Sequence, residues 1–204
     1  MDYLKIFEDY FEVCGIGVRF AEEINAGGFK EVENVSFCEA VSSACRGPLI
    51  LKKGNLSCPG SRFVFGVPNV NMAVLTNGLM QGRGITGKAA EKLIKNMPCL
   101  LQPFKWIVLG DKNSDIYIFY FNPKQMMKFL VVYQMEGDVL EIKLSSIMTM
   151  CGDIAARVYT TGNIRFSYGC IDSRKHGGIK DAELILGVPA KEIERLAKLI
   201  KIMI

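Results

Sequence analysis

The sequence predicts an α+β fold of two related halves, with a mixed or antiparallel sheet and flanking helices in one compact unit. Strand and helix patterns are both strong, but they do not alternate regularly enough for a doubly wound α/β fold. Half of the 204 residues are hydrophobic and 23% are charged, which is enough for a sizeable core. A series of motifs in the first half also returns in the second. We therefore expect a single domain over 1–204, with pseudo-repeat halves at approximately 15–104 and 105–204.

Amphipathic helices are predicted at both ends, over 2–13 and 189–204, from apolar residues at helical spacing. The stripe of the last helix consists of Ile193, Leu196, Ala197 and Ile200. Short runs rich in β-branched and aromatic residues predict the strands. In chain order the other elements are a strand at 15–20, a polar loop at 22–34, a helix from a Ser36 cap to Gly47-Pro48, a strand at 62–65, a helix at 87–96, strands at 105–109 and 116–121, a helix at 124–134, a helix from a Thr149 cap and a strand at 165–170 that ends in a cysteine.

The helix that begins at Ser36 carries the first candidate functional residue. Ser36 and Glu39 have the spacing of a capping box, which places Cys38 at the second helical position. Free backbone N–H groups and the helix dipole favour an anion there. The pattern therefore predicts a depressed pKa for the Cys38 thiol, which would make it a better ligand or nucleophile. Cys45 follows two turns later on the same face.

The motif repeats later in the chain. Thr149 is predicted to cap a helix that has Cys151 at its second position. A second cysteine follows each helix start, within Cys58-Pro-Gly-Ser-Arg62 and within Cys170-Ile-Asp-Ser-Arg174. The phrases Phe65-Gly-Val-Pro68 and Leu186-Gly-Val-Pro189 then close the two copies. This shared order predicts an internal duplication that carries paired thiols.

Charge and hydropathy exclude several classes. A net charge of +4 spread along the chain is unlike the dense basic face of a nucleic-acid binder. The apolar runs are far shorter than the roughly 20 residues of a membrane span, and the acidic N-terminus is unlike a signal peptide. We therefore expect a cytoplasmic protein that binds neither nucleic acid nor membrane.

Residues 82–89 resemble a phosphate-binding P-loop. However, Ala89 replaces the Ser/Thr of that motif, so we interpret these residues as a loop followed by a helix that Thr86 caps.

Seven cysteines are many for such a chain, and in a reducing compartment they are typical of metal or catalytic sites rather than disulfides. If the two halves pack about a pseudo-two-fold axis, the four repeated thiols converge between them: Cys38, Cys58, Cys151 and Cys170. Four thiolates suit an iron–sulfur cluster or tetrahedral zinc. Cys14, Cys45 and Cys99 are interpreted as packing residues, with Cys45 on the right face to join the site. The close spacing of a C-x-x-C metal site is absent.

Two other functions stay open. One is a thiol-dependent enzyme in which Arg62 or Arg174 holds an anionic small-molecule substrate. Its base is not evident, because the sole histidine, His176, is predicted in a solvated turn. Glu39 and Asp153 are possible acids, although capping alone accounts for Glu39. The other function is a non-catalytic module whose C-terminal helix docks a protein partner or a second copy of the chain.

Over nearly its whole length, the chain resembles the uncharacterised ArCR family, a domain of unknown function found in archaea and anaerobic bacteria. The resemblance rests on Gly17-Val-Arg-Phe20, Cys38-Glu-Ala-Val41, Ser57-Cys58-Pro-Gly60, Asn96-Met-Pro98, Phe121-Asn-Pro123, Cys151-Gly-Asp153, Gly169-Cys170, Ser173-Arg174 and Leu186-Gly-Val-Pro189. The family brings no settled activity. It implies an oxygen-poor source, which would suit an oxygen-sensitive metal centre.

Overall fold

The computed structural model describes residues 2–25 and 27–204, so Met1 and Ala26 of the predicted polar loop lie outside it. In this described part, seven strands form one sheet in the order β2-β3-β4-β1-β5-β7-β6. The strands are β1 (Ile16–Ala21), β2 (Lys30–Glu31), β3 (Leu49–Lys52), β4 (Trp106–Leu109), β5 (Ile116–Phe121), β6 (Arg165–Ser167) and β7 (Leu184–Pro189). Strands β2 and β3 pair in parallel and the other neighbours pair antiparallel, so the sheet is mixed and the fold is α+β, as predicted.

Helices cover both faces of the sheet. They are α1 (Tyr3–Phe11), α2 (Phe37–Ala44), α3 (Pro59–Val64), α4 (Met72–Arg83), α5 (Gly87–Lys95), α6 (Pro123–Gln134), α7 (Arg157–Thr161), α8 (Ile171–His176) and α9 (Ala190–Met203). A 3₁₀ turn at Lys53–Asn55 follows β3, and a π-helical segment at Thr149–Ala156 leads directly into α7. The sequence-based helices at both ends, at 87–96 and at 124–134 are confirmed, whereas α4 was not predicted.

Successive side chains along each strand point to opposite faces of the sheet, so the interior consists of two cores. Ile116 and Ile118 of β5 face one side, whereas Tyr117, Phe119 and Phe121 face the other. On the first side lie α2, α3, α4, α5 and the π-helical segment, and this side contains the candidate site. On the second side an aromatic cluster packs beneath α1, α6 and α9.

The predicted strand at 62–65 is wrong, because these residues belong largely to α3. Pro59 occupies the first turn of that helix, where its missing N–H costs nothing, and Cys58 is the N-cap. The strand predicted at 165–170 is confirmed only over Arg165–Ser167. Gly169 then takes a φ of +81°, which turns the chain so that Cys170 becomes the N-cap of α8.

An internal duplication is not shown by this topology. Strand β1 from the first predicted half lies between β4 and β5 from the second, so the sheet interleaves the halves instead of joining two copies. The Gly-Val-Pro phrases also differ in structure, since Gly66 follows α3 whereas Gly187 lies within β7. What does match is local: both Cys-x-x-Ser-Arg segments form an N-cap and the first turn of a short helix.

The apolar stripe of the C-terminal helix belongs to the second core. The four residues predicted for that stripe, Ile193, Leu196, Ala197 and Ile200, are all buried. Helix α9 packs against α1 and α6. A docking role would therefore have to use the exposed end of this helix, where Ile202 and Ile204 lie. Within the described residues, every helix is too short or too polar to cross a membrane.

Candidate thiol-lined cavity

The four repeated cysteines, Cys38, Cys58, Cys151 and Cys170, line one cavity of about 220 Å³. They come from separate segments of the chain: α2, the start of α3, the π-helical segment and the start of α8. Apolar side chains supply most of the remaining wall, among them Phe37, Leu75, Leu79, Met148 and Met150. The four thiols predicted to converge therefore border one cavity, without the pseudo-two-fold packing from which this was expected.

A capping box holds Cys38 at its predicted place. The Glu39 backbone N–H donates to Ser36 Oγ at 3.2 Å, and the Ser36 backbone N–H donates to the Glu39 carboxylate at 2.8 Å. These reciprocal bonds satisfy two backbone donors at the start of α2 and fix its first turn. The hydrogen bonds to Ser36 also lower the pKa of Glu39. Glu39 is thus a capping residue, with no free role as a catalytic acid.

Cys58 and Cys170 share one local geometry. Each is a helix N-cap, and the serine three residues later returns its hydroxyl to the cysteine carbonyl, at 3.0 Å from Ser61 and 2.8 Å from Ser173. At Cys170 the Ser173 N–H also donates to the thiol sulfur at 3.4 Å. The expected position of Cys170 at the end of a strand is corrected, because Cys170, like Cys58, lies at a helix start.

Cys151 lies in a wider helical turn than expected. The π-helical segment begins after Met148, which is its N-cap with a φ of +48°, so Cys151 takes the third helical position rather than the second. Thr149 does not cap the segment. The Cys151 thiol donates to the Met148 carbonyl at 3.5 Å and the residue is almost fully buried. Short π-helical segments recur at functional sites because they displace side chains from the regular helical register.

The electrostatics of the thiols reverse one prediction. Burial raises the pKa of Cys38 well above its ordinary value of 9.0, and the neighbouring Cys170 and Cys58 thiols raise it further. Burial likewise raises the pKa of Cys151, followed by the effects of Cys38, Cys58 and Cys170. The helix-start position of Cys38 was expected to depress its pKa, but removal from water outweighs the helix dipole. In the free protein these two thiols are therefore neutral at pH 7.

The thiols approach one another without forming a closed metal site. Across residues 2–25 and 27–204, no three histidine, cysteine, aspartate or glutamate side chains stand in a group that could hold a metal ion. In a tetrahedral zinc site the four sulfurs are only about 3.8 Å apart, since each lies about 2.3 Å from the metal. Here the thiols are instead distributed over the wall of a cavity.

The two arginines predicted to bind an anion are engaged elsewhere. Arg62 donates to the carbonyls of Gly54 and Leu56 at 2.7 and 3.3 Å. Arg174 donates to the carbonyls of Lys180 and Glu183 at 2.8 and 3.0 Å. Each guanidinium thus holds a loop against a short helix.

Sequence reasoning missed Arg83, which does line the cavity together with Asp172. Its side chain is only 12% exposed. Arg83 belongs to the Gly-Arg-Gly stretch that resembles a P-loop. This stretch was singled out in the sequence for that resemblance and not as part of the thiol-lined cavity. The methionines Met148 and Met150 were also missed, because nothing in their spacing distinguishes them from core residues.

The remaining candidates lie apart from the cavity. Cys14, Cys45 and Cys99 are exposed, which corrects their interpretation as packing residues. Burial of the sulfur raises the pKa of Cys45 to about 12, although the residue as a whole is exposed. The thiol next to Cys45 is Cys14 and not one of the cavity thiols.

Asp153 is buried, pairs with Arg157 at 3.1 Å and accepts a short hydrogen bond from Ser145. A structural ion pair thus accounts for this acid.

Comparison with known proteins supplies the family. The family model of the uncharacterised ArCR proteins, a domain of unknown function, matches residues 10–198. The chain belongs to the ArCR family. An uncharacterized protein of Methanocaldococcus jannaschii is 24% identical over 192 residues, which cover 88% of this chain and 82% of that protein. No solved structure matches the chain. The family carries no assigned activity.

Proposed function

We propose that the thiol-lined cavity binds a thiolate-ligated metal centre with a redox or cofactor-related role, an iron–sulfur cluster in the first place and zinc in the second. The observation that carries the proposal is that four separate chain segments bring Cys38, Cys58, Cys151 and Cys170 to one apolar cavity. Four cysteine ligands are the common ligand set of [2Fe–2S] and [4Fe–4S] clusters.

The raised thiol pKa values support the binding of a cation. A buried thiolate beside other thiolates is unfavourable, as the pKa directions of Cys38 and Cys151 show. A bound metal ion would make the thiolate the favoured form, since its positive charge deprotonates a coordinating thiol. Metal binding would therefore release protons from this cavity, and its affinity should increase with pH.

The breadth of the cavity favours a cluster over a single ion. A mononuclear site needs its sulfurs in a tight tetrahedron, whereas a cluster with several irons holds its cysteine ligands further apart. The described side chains contain no preformed tight group, and the thiols surround an open volume instead. For zinc, the four segments would have to close inwards.

The wall itself is suited to a soft metal. The thioether sulfur of Met148 lies near the Cys58 thiol. A Cβ atom added to Gly60 would be 3.6 Å from Cys58 Sγ and 3.7 Å from Met148 Sδ, so both sulfur atoms border the same point of the wall. Thiolate and thioether ligands select soft metals and iron–sulfur clusters. The apolar lining would also exclude water from the cluster. Solvent exposure is one of the factors that determine the reduction potential of a cluster.

The test is purification under anaerobic conditions, followed by analysis of iron, sulfide and zinc. The proposal predicts a brown protein with thiolate-to-iron absorption and matching iron and sulfide contents, or else one zinc per chain. Replacing any one of the four cavity cysteines by serine should reduce the metal content severalfold. Cys14→Ser and Cys99→Ser are matched controls, because these exposed thiols lie outside the cavity and should leave it unchanged.

The alternatives give different outcomes in the same preparation. A thiol-dependent enzyme would be colourless and free of metal, and it would be alkylated rapidly at Cys38 or Cys151. The raised pKa of both thiols counts against it. An interaction module would be neither coloured nor reactive, and its association would be lost on replacing the exposed Ile202 and Ile204 by serine.

A further inference from the structure

Arg83 is a second chemical feature of the thiol-lined cavity. It is the last residue of α4, just before Gly84 takes the left-handed conformation that ends the helix. Its side chain lies in the cavity wall and is 12% exposed. A guanidinium stays charged under all ordinary conditions, so this wall holds a fixed positive charge.

The edge of the guanidinium formed by Nε and Nη2 is only weakly paired. Its Nη2 lies 3.4 Å from the carboxylate of Asp172, which is a long contact to a side chain that is 60% exposed. Its Nε is buried and has no acceptor among the described residues. Leaving a buried charged donor without a partner is costly, so such a group marks a place where an acceptor belongs. Nε and Nη2 point in the same direction, which is the edge that a carboxylate can take up with both oxygens.

The rest of the cavity is suited to an apolar body. Leu75 and Leu79 of α4, Phe37 of α2 and Met148 form much of its wall. Val74 and Asp172, both more than half exposed, mark the opening between α4 and α8. A ligand entering there would meet Arg83 with its charged end and the apolar wall with its remainder. Pockets with one well-placed charged group and apolar walls are typical of small-molecule sites.

We propose that the cavity binds a small organic carboxylate, with the carboxylate on Nε and Nη2 of Arg83 and an apolar chain against α4. This site uses the same cavity as the proposed metal centre and would place the ligand beside the thiols. Binding itself needs only Arg83 and the apolar wall. The two proposals can therefore fail separately.

The experiment is calorimetric titration of the full-length, metal-free protein with acetate, butanoate and hexanoate. Affinity should increase about three- to fourfold for each added CH₂ that the apolar wall buries. Hexan-1-ol serves as the uncharged probe and should bind at least tenfold more weakly than hexanoate. Inorganic phosphate, a charge without an apolar body, should bind more weakly than hexanoate as well.

Variants assign the effect to the guanidinium. Arg83→Gln should weaken hexanoate binding about 10- to 100-fold, in line with the loss of charged hydrogen bonds. Arg83→Lys, which keeps the charge without the fork, should fall between Gln and the parent. Asp172→Asn removes the competing carboxylate and should tighten binding. Arg46→Gln is the matched control, since Arg46 is an exposed arginine at the end of α2 and its change should have no effect.

Three results would overturn the proposal: equal binding of hexanol and hexanoate, full hexanoate binding by Arg83→Gln, or phosphate binding tighter than hexanoate. Iron and sulfide analysis of anaerobically purified Arg83→Gln protein, before its metal is removed for calorimetry, separates the two proposals. Loss of hexanoate binding with normal metal content confirms the anion site independently of the metal. Normal hexanoate binding in a chain that never holds metal would leave the anion site standing and remove the metal centre.

Discussion

At the scale of single residues, burial governs the thiols. Cys38 occupies a helix start that would favour a thiolate, yet desolvation and two neighbouring thiols raise its pKa well above 9.0. Cys151 behaves in the same way. A group with these properties is a poor nucleophile at pH 7 and becomes a good ligand only when a cation replaces its proton. The same physics thus weakens the enzyme hypothesis and supports the metal hypothesis.

Alkylation measures this directly. The thiolate is the reactive form, so a thiol with a raised pKa should react slowly at pH 7 and about tenfold faster with each pH unit. In metal-free protein, iodoacetamide labelling of Cys38 should keep increasing beyond about pH 10, where labelling of a cysteine peptide with the ordinary pKa has levelled off. Mass spectrometry of tryptic peptides would give the rate at each site. A Cys38 rate that levels off below pH 8 would instead restore the nucleophile.

Gly60 lies in the wall of the cavity, beside Cys58 and Met148. A Cβ there would stand 3.2 Å from Cγ of Met148 and 3.6 Å from Cys58 Sγ. Gly60→Ala should therefore lower metal content severalfold while keeping all four cysteines, as iron and zinc analysis would measure. The control is Gly54→Ala, because Gly54 has open space around its Cα. Unchanged metal content in Gly60→Ala would mean that this part of the wall is not used.

At the scale of elements, the π-helical segment positions Cys151 and packs on β7. Gly187 of that strand makes the approach possible, since a Cβ would meet side-chain methyl groups of Ile154 and Val158 at 2.9 Å and the Ile154 carbonyl at 3.1 Å. A close backbone approach of this kind explains glycine within a central strand. The Gly-Val-Pro phrase in this strand thus reflects packing and not a repeated unit.

Two glycine substitutions of opposite sign test this packing. Gly187→Ala should lower the free energy of unfolding by about 1–3 kcal/mol, because the added methyl group overpacks the segment. Gly82→Ala in α4 should instead raise it by roughly 0.5–1 kcal/mol, since the site is open and alanine favours the helix. Urea denaturation of both proteins gives the comparison. A neutral Gly187→Ala would show that the segment can move away from β7.

Local patterns predict local structure, and the errors follow from that limit. The Ser36–Glu39 capping box and the aromatic strand β5 were predicted because their signals lie in neighbouring residues. The strand expected at 62–65 became a helix because Pro59 at the first turn outweighs a short β-prone run. Helix α4 was missed because Gly78 and Gly82 weaken its pattern.

At the scale of the whole molecule, the sheet separates the cavity from the aromatic core. The cavity thiols and α4 lie on one face, whereas α9 covers the other face above Phe7, Phe119 and Phe129. The meeting of four thiols from distant segments depends on this strand order, which interleaves the two sequence halves. No pattern in a single sequence specifies such a strand order. The meeting of the thiols was therefore predicted from a pseudo-two-fold symmetry, which the fold does not show.

This separation predicts that stability and metal binding can be changed independently. Leu196→Ala in α9 removes a fully buried side chain and should cost about 2–5 kcal/mol of unfolding free energy. Ile202→Ala, at a residue that is 74% exposed, should cost less than about 0.5 kcal/mol. Both proteins, while folded, should hold as much metal as the parent. Loss of metal from folded Leu196→Ala would show that the two faces are coupled.

The most direct measurement is X-ray absorption at the iron or zinc edge on anaerobically prepared protein. If Cys38, Cys58, Cys151 and Cys170 bind the centre, the first shell should consist of about four sulfur atoms near 2.3 Å from each metal. For a cluster, a second metal neighbour should appear at longer distance. A first shell of nitrogen or oxygen, or a sulfur shell that persists when all four cysteines are replaced by serine, would contradict thiolate binding in this cavity.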